Sequence, residues 1–147
     1  MKSCTFFGHS KYNYYNFEGI IKNTIVSLIK EQNVTQFYCG GRGHFDNICS
    51  KIIYILKDQF PYIKNTLVLS YHPNKNFILH PYFDDSVYLL EKTVPLKFAI
   101  SHTNKRMIDI SDYIVFAVDH IYGGAYDSFK YAKNQNKIMI NIFSSEL

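Results

Sequence analysis

The chain has 147 residues, 47% of them hydrophobic and 19% charged, with a formal net charge of +4. That length suits one ordinary domain over residues 1–147, and the composition is that of a globular chain rather than a disordered one. No apolar run approaches the roughly 20 residues of a membrane span, and the start, MKSCTFFGHS, has no signal-peptide organisation.

In chain order, residues 3–7 form a short apolar strand that ends at Gly8. Over residues 16–31, Phe17, Ile20, Ile21, Ile25, Leu28 and Ile29 share one helical stripe. Residues 34–39 read as a strand stopped by Gly40-Gly41, and residues 44–58 return to helical spacing with Phe45, Ile48, Cys49, Ile52, Ile53 and Leu56. The continuous β-branched runs 66–71 and 113–118 predict strands buried on both faces, with a helix expected before the second run. A helix over 125–134 and a strand over 137–142 complete the series. This alternation predicts an α/β, three-layer Rossmann-like sandwich around a mostly parallel five-stranded sheet with right-handed crossovers. Residues 72–98 break the pattern. They are polar, hold Pro73, Pro81 and Pro95, and are too long for an ordinary connection, as expected of an irregular insertion over a site or an interface.

Cys4, Cys39 and Cys49 are too few and wrongly spaced for a disulfide framework or a zinc site, so buried free thiols in a cytoplasmic protein are expected. The lysines are scattered, which suits an anionic small ligand better than nucleic acid. Ile, Lys, Tyr, Phe and Asn are abundant while Ala and Arg are scarce, the mark of an AT-rich genome. Lysine and asparagine are therefore poorly informative, and two arginines and seven glycines carry more.

Six of those glycines fall at Gly8, at Gly40-Gly41-Arg42-Gly43 and at Gly123-Gly124. Each group follows a predicted strand, so all three belong at the carboxyl edge of the sheet, where open α/β folds bind ligands. Glycine lets backbone N–H groups approach an anion, and a helix N-terminus adds positive potential. The pattern is neither a P-loop nor GxGxxG with a following acidic residue, so a dinucleotide oxidoreductase is disfavoured and no cofactor is expected. The six histidines lack paired ligand spacing and no metal site is expected, but His9, His44 and His120 fall at the glycine edge and suit phosphate or a base. Arg42, between glycines, can grip a phosphate bidentately. Arg106 has either that role or a surface role. Asp46 either complements its helix N-terminus or accepts from a ribose diol, and Asp119-His120 poses the same choice. Tyr122 and Tyr126 flank Gly123-Gly124 and could sandwich a base.

The segments FFGHS, FYCGGRGHFD, LVLSYHP, NKRMIDISDYIVFAVDH and YGGAYDSFKYAKNQNKIMINI, in that order, resemble the SLOG superfamily, and in particular small stand-alone SLOG proteins of Firmicutes and their phages. The resemblance implies a nucleotide-binding Rossmann-like domain with ligand contacts from Gly8, His9, Ser10, Gly40, Gly41, Arg42, Gly43, His44, Phe45, Asp46, Arg106, Asp119, His120, Gly123, Gly124, Ala125 and Tyr126. GGRGHFD is similar to the glycine-arginine-aspartate loop of DprA relatives. YGGAYDSFK corresponds to the PGGxGTxxE motif of LOG phosphoribohydrolases, with Tyr122 for proline, Tyr126 for glycine, Asp127 for threonine and Lys130 for the glutamate that supports glycosidic cleavage.

Two functions are therefore expected to compete. One is a binding module for an ADP-ribose-type or cyclic nucleotide signal, in a phage setting a sponge that sequesters a defence signal in the host cytoplasm. The other is an enzyme cleaving the N-glycosidic or phosphate-ester bond of such a ligand with Asp46, Asp119 or Asp127. The resemblance and the aromatic richness also imply a homodimer or higher homo-oligomer, while the lack of an apolar span and the scattered lysines argue against a membrane or nucleic-acid partner.

Overall fold

A computed structural model describes residues 1–91 and 94–143; Lys92 and Thr93 of the expected insertion, and residues 144–147 at the end of the expected domain, lie outside the described residues. The order is β1 (Lys2–Gly8), α1 (Glu18–Gln32), β2 (Val34–Cys39), α2 (His44–Leu56), β3 (Lys64–Leu69), β4 (Asp85–Tyr88), α3 (Ala99–Ile110), β5 (Tyr113–Ala117), α4 (Gly124–Asn134) and β6 (Ile138–Asn141). Short 3-10 turns at Tyr15–Phe17 and Leu96–Phe98 lead into α1 and α3.

The sheet has six strands rather than five, in the order β4-β3-β2-β1-β5-β6. All five pairings among the described residues are parallel. The extra strand, β4, comes from the segment expected to be irregular. Side chains hold it as much as its ladder does: Thr66 Oγ1 donates to Asp85 Oδ1 at 2.6 Å, and the Asn65 N–H donates to Asp84 Oδ2 at 2.8 Å.

Strand β5 shows why the buried runs lack alternation. Tyr113, Val115 and Ala117 join the core with α1 and α2, whereas Ile114, Phe116 and Val118 join the second core with Met107, Ile108, Ala125 and Ala132 of α3 and α4. Side chains alternate across a strand, so a strand covered by helices on both faces is apolar throughout. In α1 the buried stripe is Ile21, Ile25, Leu28 and Ile29; Ile20, expected beside them, is 47% exposed at the stripe's edge. Asn33 ends α1 in the left-handed region at φ 59° and donates its N–H to the Leu28 carbonyl, a helix stop that asparagine tolerates. The three cysteines are buried and free, and burial raises their thiols well above the ordinary range. No described helix is long and apolar enough to cross a membrane.

Chain direction sets the site. From β1 the strands step one way through β2, β3 and β4, and then the chain returns to the other side of β1 for β5 and β6. The reversal lies between β1 and β5, and ligands of open α/β sheets bind in the crevice beyond the strand ends at such a point.

Candidate functional site

A cavity of about 410 Å³ opens at that reversal, within the range of small-ligand pockets. Its lining includes Gly8, His9 and Ser10 after β1, Gly40, Arg42, Gly43, Phe45 and Asp46 after β2, and His120, Gly123, Gly124 and Ala125 after β5. Three loops far apart in sequence thus meet because their strands are adjacent and parallel.

Helices α2 and α4 both start at this cavity and are built alike. Gly43 precedes α2 at φ 88°, ψ 166°, and Gly123 precedes α4 at φ 90°, ψ 173°, a combination essentially confined to glycine. Neither helix has a side-chain cap. Their unsatisfied first-turn N–H groups, with the associated dipole ends, therefore converge on one space. Gly8 serves packing instead: a Cβ there would lie 2.6 Å from Cγ of the buried Phe45, so the bare backbone lets α2 start close against β1.

Arg42 lies on the exposed side of the loop, and its Nη1 donates to Ser70 Oγ beyond β3 at 2.8 Å. Asp46, in the first turn of α2, accepts the Arg42 backbone N–H at 3.4 Å. Desolvation raises the Asp46 pKa from 3.8 to about 7, against the opposing pull of hydrogen bonds from the Arg42 and Gly40 backbone and of the Arg42 charge. Part of the carboxyl group still faces the cavity. Asp46 therefore ties the glycine-arginine loop to α2.

On the opposite wall three rings stack. His9 and His120 lie 3.3 Å apart between centroids and 13° from parallel, and Tyr122 follows His120 at 4.1 Å. His9 is buried, and its backbone is held by the Tyr14 hydroxyl, which donates to its carbonyl at 2.7 Å. Desolvation and the nearby His120 lower the His9 pKa, with Asp119 opposing them. Asn141 secures the neighbouring turn: its side chain donates to the Val118 carbonyl at 2.7 Å and accepts the Val118 N–H at 3.1 Å. It extends the sheet by one rung where β6 has ended.

Five expected contacts fall outside the lining. Gly41 faces a neighbouring groove with Leu67, Ser70 and Tyr71. His44 turns back towards the Tyr12 carbonyl and the Tyr14 N–H, both 3.3 Å from Nδ1. Arg106 pairs with Asp109 at 3.6 Å beside a separate groove. Asp119 is exposed just outside the lining, its Oδ1 2.8 Å from His120 Nδ1. Tyr126 stacks on Phe129 under the Lys130 ammonium, so of the two flanking tyrosines only Tyr122 reaches the cavity. Lys130, at the LOG glutamate position, pairs with Asp127 at 3.7 Å away from the lining.

The lining residues that sequence reasoning missed are Phe6 and Phe7 at the end of β1, Lys11, and Ile100, Asn104 and Met107. Lys11 directly follows Gly8-His9-Ser10 and was within reach of the loop pattern. The last three recur at helical spacing on α3, but only the packing of α3 shows that this face closes the cavity.

The sequence matches no family model and no curated protein. Solved structures do match. DNA processing protein A (DprA) from Streptococcus pneumoniae superposes with a TM-score of 0.69 at 14% identity, over 95% of this chain and 49% of that one. DprA from Helicobacter pylori, described with a single-stranded DNA binding mode, gives 0.64 at 14% identity, over 94% of this chain and 63% of that one. The molybdenum cofactor carrier protein from Chlamydomonas reinhardtii gives 0.61 at 11% identity, over 95% and 75%. The chain thus spans about half to two thirds of the DprA chains. At these identities the likeness concerns the fold alone: the chain has the Rossmann-like fold seen in DprA and in the molybdenum cofactor carrier protein.

Proposed function

We propose that this protein binds a phosphate-bearing, nucleotide-derived small molecule in the cavity between β1 and β5. The observation that carries the reading is the convergence of two uncapped helix N-termini, each released from a glycine-only turn, on a space edged by Arg42. Such ends stabilise anions through free N–H groups and dipole. Lys11 and Arg42 supply mobile positive charge at the rim. His120 and Tyr122 offer ring faces for a base, and Asp46 offers a carboxyl group for a ribose. An ADP-ribose-type or cyclic nucleotide matches this mixture of phosphate, sugar and base contacts. Sequestration of such a signal, by a homo-oligomer of this chain, is the role we assign.

The test incubates the purified protein with ADP-ribose, cyclic ADP-ribose isomers, cyclic di- and trinucleotides, NAD, AMP and a short single-stranded oligonucleotide. Thermal shift reports binding, and mass spectrometry after denaturation reports the released species. One ligand should give a large shift and return unchanged. Arg42→Ala should weaken it more than tenfold, about 1.4 kcal/mol. No shift with any nucleotide, or a shift with the oligonucleotide alone, would overturn the reading.

A second reading is favoured by Asp46. A carboxyl group with a pKa near 7 suits a general acid that protonates a leaving base or ester oxygen. Recovery of free base or a linearised product, lost in Asp46→Asn while affinity persists, would establish the enzyme instead.

A further inference from the structure

We infer that His9, Asp119 and His120 form a binding site for a divalent transition-metal ion at the edge of the cavity. The inference does not rest on the nucleotide reading. One ligand atom from each residue lies within 4.8 Å of the others. His120 Nδ1 is 2.8 Å from Asp119 Oδ1, and His9 Nε2 is 3.5 Å from the same oxygen. Donor atoms around a tetrahedral ion with bonds of about 2.0–2.1 Å lie roughly 3.3 Å apart. The two distances to Asp119 Oδ1 bracket that spacing.

Hydrogen bonding alone does not satisfy this cluster. His9 Nε2 accepts the Asp119 backbone N–H at 3.2 Å, so that nitrogen carries no proton. It nevertheless faces the Asp119 carboxylate at 3.5 Å, lone pair against lone pair. Protonating Nε2 would favour the carboxylate but leave the backbone N–H without its acceptor. A cation between the two acceptors removes the carboxylate–imidazole repulsion, and on binding it takes the Nε2 lone pair in place of the Asp119 N–H. His120 is half-buried on a loop and can pivot out of its stack to turn its lone pair towards the ion, while His9 is fixed by Tyr14 and by its own N–H to the Ala117 carbonyl.

The donor set selects the ion. Two imidazoles and one carboxylate suit zinc, cobalt, nickel or iron(II) and disfavour magnesium and calcium, which take oxygen ligands. Three protein ligands leave at least one coordination position open, as in sites that bind water or a substrate oxygen. Residues 9 and 119 are far apart along the chain, and the pairing of Gly8 with Ala117 in the β1–β5 ladder brings them together. Histidine spacing in the sequence could not show this.

The experiment uses untagged full-length protein, stripped with a chelator and titrated with Co²⁺, then competed with Zn²⁺. One equivalent of Co²⁺ should produce visible d–d absorption, and Zn²⁺ should abolish it. Asp119→Asn and His120→Ala, both at accessible positions, should weaken Zn²⁺ binding at least tenfold with the circular dichroism spectrum unchanged. His102→Ala, an exposed histidine on α3, should bind as the wild type does. Absence of stoichiometric binding in the wild type, equal affinity in the two cluster variants, or loss of binding in His102→Ala would each overturn the inference. Nucleotide binding without metal binding, or the reverse, separates this site from the proposed function.

Discussion

Gly123 and Gly124 are adjacent, and neither has an atom within 4 Å of the position a Cβ would occupy. Alanine at either site therefore meets no steric obstacle, and any difference between the two reports backbone conformation alone. Gly123 stands at φ 90°, ψ 173°, where an L side chain is strained by about 1–3 kcal/mol. Gly124 begins α4, and alanine there restricts the unfolded chain and favours the helix by roughly 0.4–1 kcal/mol. Gly123→Ala should thus destabilise and Gly124→Ala stabilise, a divergence of about 1.5–4 kcal/mol between neighbours. In a chain of this size 1 kcal/mol moves the melting temperature by roughly 2–4 °C. Urea unfolding at fixed pH, with midpoints compared at constant m-value, measures both. Equal effects, or a stabilising Gly123→Ala, would refute the claim that a glycine-only turn sets the N-terminus of α4. Gly43→Ala, with the same backbone geometry and the same free space, should repeat the Gly123 result in front of α2.

Asp46 makes a pH prediction. Its folded pKa lies above its unfolded one, so ionisation costs more in the folded chain, and stability falls as pH rises from about 4 towards 7. Asp46→Asn cannot ionise, so its stability relative to wild type should improve across that window by about 1–3 kcal/mol, less than the full shift because part of the carboxyl faces solvent. A pH-independent difference would show that the carboxyl group is well solvated. Tyr14→Phe removes the buried hydroxyl that holds the His9 carbonyl and should cost about 1–3 kcal/mol in urea unfolding. A loss below about 0.5 kcal/mol would mean that water or a neighbour satisfies that carbonyl.

Near-neighbour chemistry was legible in the sequence. The apolar run at Tyr113–Ala117, the stripe of α2 and the glycine-bearing stops record local geometry: alternation lost in a doubly covered strand, 3.6-residue spacing on a helix, and turns that only glycine enters. They were enough to give an α/β sandwich and to place three loops at one edge. Strand β4 left no such mark. Asp85 and Ser86 are exposed and Val87 and Tyr88 half-buried, and partners on β3, above all Asn65 and Thr66, make it a strand.

The finer arrangement of the site belongs to tertiary structure. His44 and Tyr126 sit in the right loops, yet packing against Tyr14 and Phe129 turns them away from the cavity. Ile100, Asn104 and Met107 line it only because α3 packs on the sheet face beside α4, against β1 and β3. His9, Asp119 and His120 meet because parallel pairing sets the ends of β1 and β5 side by side. Apart from β4, the sequence by itself determined which segments become strands and helices, since those preferences act over a few residues. The fold decided which side chains share a space, since that depends on strand order and on the directions in which separate segments pack.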